Sequence, residues 1–161
     1  MDLQRILQIK SINGVWREKL MVSTVVFSHQ SDEWETPQDL FDELNKEFNF
    51  NFDVAASREN AKCRNFYGKE LDGLKQEWEE LSIFCNPPYS EISKWVEKAF
   101  NECWWAKGIV MLLPARTDTR WFHKYIYKNP DCEIRFIKGR LKFSNSKNSA
   151  PFPSMIVIFR I

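Results

Sequence analysis

Residues 81–100 read LSIFCNPPYSEISKWVEKAF, and this stretch sets the organisation of the chain. Residues 81–85 form a short, largely apolar run that is typical of a buried strand. From Ile92 onward, apolar residues recur at the three- and four-residue spacing of an amphipathic helix. The predicted strand and helix are joined by the tetrapeptide NPPY at residues 86–89, a corner with two prolines and no glycine.

The residues on either side extend this alternation of strands and helices. In residues 34–48, Thr36 suits the N-cap of a helix and Pro37 its first turn. Residues 108–115 are a continuous apolar run, which indicates a strand covered on both faces. The remaining predicted elements are short strands within 50–56, at 66–67 and within 153–161, a helix within 117–129, and a hairpin over 132–143 that turns at Lys138-Gly139.

This order of elements predicts an α/β domain with a mostly parallel sheet and an antiparallel edge at its C-terminal end. In such sheets, ligands bind beyond the carboxyl ends of the strands. Four polar or rigid residues are predicted at or just after strand ends, and they are expected to line one rim: Asp53, Asp72, Asn86 and Pro114.

The composition fits one globular domain and narrows the range of functions. The chain has 161 residues, 43% of them hydrophobic, and its 23 basic and 22 acidic residues leave a net charge of +1. A uniformly basic, nonspecific nucleic-acid binder is therefore not indicated. Four cysteines without a C-x-x-C pair, with only two histidines, argue against a metal site and favour free thiols in a reducing cytosol. We find no run of membrane-spanning length and no signal-peptide pattern.

The N-terminal residues 1–33 carry a weakly helical pattern that is broken at Asn13-Gly14. They are interpreted as an N-terminal extension, which is an appendage, an extra helix, or sequence upstream of a functional start at Met21. The main domain is expected to occupy residues 34–161.

The corner at residues 86–89 has the chemistry to hold a planar amine. Asn86 precedes a proline, which keeps its backbone out of the helical region, and the two prolines have a fixed φ and no N–H. The Asn86 carboxamide oxygen and the Pro87 carbonyl would accept both protons of an exocyclic amine on a nucleobase, while Tyr89 stacks on the ring. The lone pair of the amine would then be free to attack an electrophilic methyl group. A base in a duplex would have to be flipped out to reach this corner.

Structural roles also account for some of these residues. The corner fits a Pro-Pro turn with a packing tyrosine. Asp53 suits a cap of the turn that follows it, and Asp72 before Gly73 is a common turn pair.

Four separated blocks, at residues 34–74, 84–100, 112–123 and 137–143, resemble the phage-type DNA N-6-adenine methyltransferases (Dam-like). The resemblance implies a doubly wound, Rossmann-like methyltransferase fold with seven strands, one of them antiparallel. It also implies that S-adenosylmethionine donates a methyl group to the exocyclic amine of adenine in double-stranded DNA. A phage or prophage enzyme of this kind would act in the cytoplasm of a bacterial host. Its target sequence, its oligomeric state and its biological role, such as restriction-modification, are left open.

The resemblance also implies roles for individual residues. Catalytic roles fall on Asn86, Pro87, Pro88 and Tyr89. The methionine end of the cofactor would be covered by Trp34, Thr36 and Pro37. At the end of the first strand, Asp53, Ala55, Ala56 and Ser57 would lie beside the cofactor. Its ribose would contact Asn60 or Glu70. Contact with its adenine falls on Asp72 and Leu74.

The loop after the first strand departs from the broad methyltransferase pattern. Residues 52–60 read FDVAASREN, without the glycines of the usual F-x-G-x-G. The small side chains of alanine and serine would still allow a close approach of the backbone.

DNA contacts are expected at Arg116 and Arg140, because Arg116 follows a strand on the predicted rim and arginine binds phosphates. An ordinary solvated surface would explain both arginines as well. Two other targets remain open, an RNA base and a protein glutamine amide, since the same corner would hold any planar amine. A further alternative is a catalytically silent DNA-binding module that keeps the fold.

Overall fold

The computed structural model describes residues 34–160. The predicted N-terminal extension, residues 1–33, lies outside the described residues, so the domain boundary at residue 34 stays a prediction. The described helices are α1 (Gln38–Phe48) and α2 (Ile92–Glu102), with shorter helical turns at Gly73–Lys75, Tyr89–Glu91 and Phe122–Ile126. The described strands are β1 (Phe52–Asp53), β2 (Asn65–Phe66), β3 (Ser82–Cys85), β4 (Gly108–Pro114), β5 (Cys132–Phe136) and β6 (Ser154–Phe159). None of the helices within residues 34–160 has the length and apolar character needed to cross a membrane.

These strands form one mixed sheet in the order β2-β1-β3-β4-β6-β5. β1 pairs in parallel with β2 and with β3, and β3 pairs in parallel with β4. β6 pairs antiparallel with both β4 and β5. The chain steps outward from β1 to β2 and returns to β3 on the other side of β1, so the strand order reverses between β1 and β3. The predicted α/β class is confirmed.

Both faces of the sheet are buried, which explains the continuous apolar runs of its central strands. On one face, Ile83 and Cys85 of β3 belong to the same apolar cluster as Trp95 of α2. On the other face, Phe84 of β3 belongs to a cluster with Phe41 of α1. Because successive side chains of a strand point to opposite faces, one short strand contacts both layers of helix.

The C-terminal side of the sheet is antiparallel, as predicted, and its antiparallel strand is internal. β6 lies between β4 and β5, and all six of its residues are buried. β5 forms the edge instead, and its Phe136 is 64% exposed. A fully apolar strand gains more from two neighbours than from one, so β6 takes the inner place. The resemblance implied seven strands, whereas residues 34–160 contain six.

The hairpin predicted over residues 132–143 is wrong. Within the described chain, only its first arm, Cys132–Phe136, is a strand. Gly139 has a positive φ of 79°, and Phe143 is 1% exposed with its ring 5.1 Å from that of Trp34. Burial of Phe143 therefore places the second arm on the face of the sheet that α1 covers, away from the sheet edge.

The helix predicted within residues 117–129 is shorter than expected. It is a helical segment that includes the π-helical turn Phe122–Ile126.

The predicted turn at Asp72-Gly73 is present and packs tightly against the end of β1. A Cβ atom at Gly73 would lie 2.1 Å from the carbonyl oxygen of Val54. The fully buried Trp78 donates its indole N–H to the Gly73 carbonyl at 3.0 Å. Only glycine permits this approach, which brings the turn next to the residues that follow β1.

Replacing Gly73 by alanine should destabilise the fold. The added methyl group would overlap backbone that cannot move without disturbing β1, and overpacking of this kind costs about 2 kcal/mol or more. The free energy of unfolding, measured by urea denaturation, should fall by that amount for Gly73→Ala. Gly108→Ala is the matched control, since nothing lies within 4 Å of its added Cβ. Equal stability of the two variants would contradict the close approach.

Candidate active site

A pocket of about 350 Å³ opens at the carboxyl ends of β1 and β3, where the strand order reverses. Its volume is that of a small-molecule site, and its place is where open α/β sheets bind ligands. Among the residues expected to act, seven from the first half of the site line it: Trp34, Thr36, Asp53, Ala55, Ala56, Ser57 and Asn60. Four more come from the turn and the corner: Asp72, Asn86, Pro87 and Pro88.

Several expected residues do not line this pocket. Pro37 is the N-cap residue of α1, and Leu74 packs half-buried on the α2 side of the core. Tyr89 packs beside the pocket among other aromatic rings. Arg116 and Arg140 are exposed on the surface, as is Glu70, the alternative to Asn60 for the ribose.

Asn86 is held by hydrogen bonds that leave its oxygen without a partner. Its side-chain amide donates to the carbonyl oxygen of Trp34 and, at 3.0 Å, to the hydroxyl of Thr36. The carbonyl of Trp34 can only accept, so the –NH2 side of the carboxamide has to face it. The opposite atom, Oδ1 of Asn86, is buried and has no donor among the described residues.

An unpaired acceptor of this kind is uncommon in a folded protein. Leaving a buried acceptor without a donor costs roughly 1–3 kcal/mol, and nearly all such groups are paired. Asn86 belongs to the wall of the pocket, where a ligand N–H would supply the missing partner. The arrangement therefore suits a bound amine.

Thr36 does not cap α1, contrary to the sequence prediction. The helix begins at Gln38 and has no side-chain cap. Thr36 is 3% exposed, and its hydroxyl accepts from Asn86 instead. A buried hydroxyl bonds to the nearest available donor, and here that donor comes from a residue 50 positions away in the sequence.

Aromatic rings pack around the corner. The rings of Trp34 and Tyr89 stack at 6.5 Å with an interplanar angle of 30°, and Phe152 meets Tyr89 edge-on at 5.5 Å. The Tyr89 hydroxyl is buried without a partner among residues 34–160. Burial raises the pKa of Tyr89 well above its usual range, although the charge of Arg116 lowers it in part. Tyr89 is therefore neutral at physiological pH.

The glycine-free loop after β1 is closed by side-chain hydrogen bonds. Asn60 Oδ1 accepts from the Ser57 N–H at 2.7 Å, and the Ser57 hydroxyl accepts from the Glu59 N–H at 3.3 Å. The Ser57 carbonyl accepts from the N–H groups of Asn60 and Ala61. Serine and asparagine thus shape this turn through local side-chain bonds, which here replace the conformational freedom of glycine.

Asp53 is a buried acid at the end of β1. It is 3% exposed, and its carboxylate accepts from the backbone N–H of Lys62 at 3.0 Å and of Ala55 at 3.4 Å. Burial raises the pKa of Asp53 to about 6, while these hydrogen bonds and the charge of Lys62 act in the opposite direction. Asp53 therefore caps its turn, as the structural alternative proposed, and also lines the pocket.

Lys62 is a pocket residue that no sequence pattern indicated. Its side chain is 9% exposed, and its ammonium lies 3.2 Å from Gln38 Oε1 and 3.9 Å from Glu35 Oε1. A lone lysine between Ala61 and Cys63 carries no periodicity or motif. Only the packing of its loop against the start of α1 brings this cation to the pocket.

Asp72 fulfils its structural role. Its carboxylate accepts from the Leu74 N–H at 3.2 Å and pairs with Lys75 at 3.1 Å, and its φ is 51°. These contacts form the turn, and they leave Asp72 on the wall of the pocket as well.

A cationic loop, residues 137–153, lies between β5 and β6. It carries four basic residues and no acidic one. All four are exposed: Lys138, Arg140, Lys142 and Lys147. The chain as a whole is close to neutral, so this loop is a local concentration of positive charge.

The fold and the pocket together define an α/β protein with a ligand site at the carboxyl edge of its sheet. Residues 23–161 match the family described as DNA N-6-adenine-methyltransferase (Dam), and the chain belongs to this family. It is 38% identical over 93 residues to a DNA N-6-adenine-methyltransferase of Escherichia phage T1, which is 56% of this chain but only 39% of that protein. It is 28% identical over 148 residues to a DNA N-6-adenine-methyltransferase of Haemophilus phage HP1, which covers 87% of this chain and 85% of that protein.

The burial of Asp53 should make stability depend on pH. Its pKa of about 6 lies above that of an unfolded aspartate, so the folded state binds more protons between pH 4 and pH 6. The contribution of Asp53 to stability is then greatest at low pH and is lost as pH rises through 6. Relative to Asp53→Asn, the wild type should lose roughly 2 kcal/mol between pH 4 and pH 7. Urea denaturation across this pH range tests it, and parallel profiles for the two proteins would contradict the burial effect.

Proposed function

We propose that the protein transfers a methyl group from S-adenosylmethionine to the exocyclic N6 amine of adenine in double-stranded DNA. Its membership of the Dam family supports this activity. The structural observation that carries the proposal is the buried Oδ1 of Asn86, which has no donor among the described residues while the amide nitrogen of the same side chain is held on two acceptors.

The NPPY corner would activate the amine by holding it. Oδ1 of Asn86 and the carbonyl of Pro87 would accept the two N6 protons, which favours a tetrahedral nitrogen with an available lone pair. The two prolines keep these acceptors rigid, so little reorganisation is needed when the amine arrives. Tyr89, neutral and packed on Trp34, would support the flipped base, and no general base is required at the nitrogen.

The pocket has groups that fit S-adenosylmethionine. The cofactor supplies a methyl group on a positively charged sulfur, and its amino-acid end carries an ammonium and a carboxylate. The Asp53 carboxylate suits the ammonium, and the ammonium of Lys62, whose side chain is 9% exposed, suits the carboxylate. Trp34 and Thr36 would cover this end, while Ala55, Ser57 and Asn60 would border the middle of the cofactor and Asp72 its adenine.

The proposed domain is the doubly wound, Rossmann-like methyltransferase fold over residues 34–161. The parallel strands β2, β1, β3 and β4, the reversal of strand order at the pocket, and helices on both faces support it. Arg116 and Arg140 would meet phosphates of the duplex, and the other cations of the loop at residues 137–153 would add to this contact.

Methyl transfer should require Asn86. With labelled S-adenosylmethionine and unmethylated duplex DNA, the wild type should label adenine, and Asn86→Ala should reduce the turnover number by at least about a hundredfold, since it removes one placed acceptor. Asn101→Ala, an exposed asparagine on α2, is the matched control and should keep full activity. The same assay with RNA and with protein substrates shows which class of molecule the enzyme methylates. Label on either of these but not on DNA, or full activity of Asn86→Ala, would refute the proposal.

Lys62→Met should weaken binding of the amino-acid end of the cofactor. Isothermal titration with S-adenosylhomocysteine should give a dissociation constant about tenfold higher, the loss expected for one charged hydrogen bond. Binding of 5′-methylthioadenosine, which lacks the amino-acid end, should not change. Lys107→Met, whose side chain is 61% exposed, serves as the control variant. A similar loss for both ligands would show that Lys62 only supports the loop.

A further inference from the structure

The cationic loop is hydrogen-bonded to the segment that orients Asn86. The Ser144 N–H donates to the Glu35 carbonyl at 2.9 Å, and the Glu35 N–H donates to Asn145 Oδ1 at 3.1 Å. The Ser144 hydroxyl donates to the Thr36 carbonyl at 3.3 Å. Three hydrogen bonds therefore join residues 34–36 to a loop more than 100 residues further along the chain.

Buried residues anchor the loop to the rest of the domain, so its hydrogen bonds can hold residues 34–36 in place. Phe143, directly before Ser144, is 1% exposed and packs on the ring of Trp34 at 5.1 Å. The buried Ala150 donates its N–H to the Leu141 carbonyl at 2.8 Å, which closes the loop at its base. The exposed part of the loop thus stands on a buried anchor next to residue 34.

The same segment contacts Asn86 on its other side. The carbonyl of Trp34 and the hydroxyl of Thr36 are the two acceptors of the Asn86 amide. Trp34, Glu35 and Thr36 are consecutive, and none of them belongs to a helix or a strand. Apart from the loop and Asn86, the described contacts of this short irregular segment are the start of α1, the ring of Tyr89 and the ion pair of Glu35 with Lys62.

We propose that Ser144 and Asn145 are positioning residues for Asn86. They hold residues 34–36 in the conformation in which two acceptors take the Asn86 amide and Oδ1 stays available to the substrate amine. Their effect reaches the substrate through two sets of hydrogen bonds and involves no contact of their own with it. We call the hydrogen bonds from Ser144 and Asn145 to residues 34–36 the clamp. The clamp is a property of the folded chain, whereas its effect on catalysis rests on the proposed function.

The orientation of Asn86 can be measured without any activity. Its side-chain –NH2 gives two signals in a ¹H–¹⁵N spectrum, and the loss of these signals in Asn86→Ala assigns them. In Ser144→Ala/Asn145→Ala, these protons should exchange with solvent about tenfold faster, the factor expected when one or two ordinary hydrogen bonds are lost. Ser146→Ala is the matched control, because among residues 34–160 its hydroxyl donates to the Asn148 carbonyl within the loop, and it should exchange like the wild type. Asn145→Asp keeps the acceptor for Glu35 and should also resemble the wild type.

Kinetics then separate positioning from DNA contact. The double variant should have a turnover number about tenfold lower, while its dissociation constants for DNA and for S-adenosylhomocysteine stay within about twofold of the wild type. Unchanged exchange of the Asn86 amide in the folded double variant would overturn the proposal. Weaker DNA binding at full turnover would also overturn it, since the two residues would then be DNA contacts. If the wild type methylates no DNA, the proposed function fails, and the exchange rates still decide whether the clamp exists.

Discussion

The pair of hydrogen bonds from the Asn86 amide to Trp34 and Thr36 is the constraint on which the site depends. It connects the end of β3 with the segment before α1, so it brings the two layers of the fold together at the pocket. It also uses both protons of the amide and leaves the oxygen as a free acceptor in a buried place. A side chain restrained in this way can receive an amine without rearranging, which is what electrostatic preorganisation requires.

The pocket keeps groups whose burial opposes folding. Asp53 is an acid with a raised pKa, Asn86 has an unpaired oxygen, and Tyr89 has an unpaired hydroxyl among the described residues. The sheet, with both faces covered, supplies the apolar burial that offsets these costs. Close packing of Gly73 on Val54 adds rigidity directly beside the pocket. Strain and unpaired groups of this kind are expected where a site is built for a ligand.

The local elements and most of the pocket wall were accessible from sequence because they depend on neighbouring residues. Helices α1 and α2 follow from apolar spacing, and β3, β4 and β6 follow from short apolar runs. Residues at strand ends were expected on one rim, and Asp53, Asp72 and Asn86 do line one pocket, whereas Pro114, the last residue of β4, does not. The hairpin over 132–143 failed because Phe143 finds a better place on the face of the sheet, and no local pattern reveals that alternative.

The sequence by itself determined the α/β class, the rigid NPPY corner and the polar residues at strand ends, since periodicity, proline geometry and turn chemistry act over a few residues. Only the tertiary structure decided the inner position of β6, the hydrogen bond of Thr36 to Asn86, the cation of Lys62 in the pocket, and the clamp from Ser144 and Asn145. These contacts join residues between 24 and 110 positions apart. Such partners are chosen by packing and by the need to pair buried polar groups, and a linear pattern carries no record of that choice.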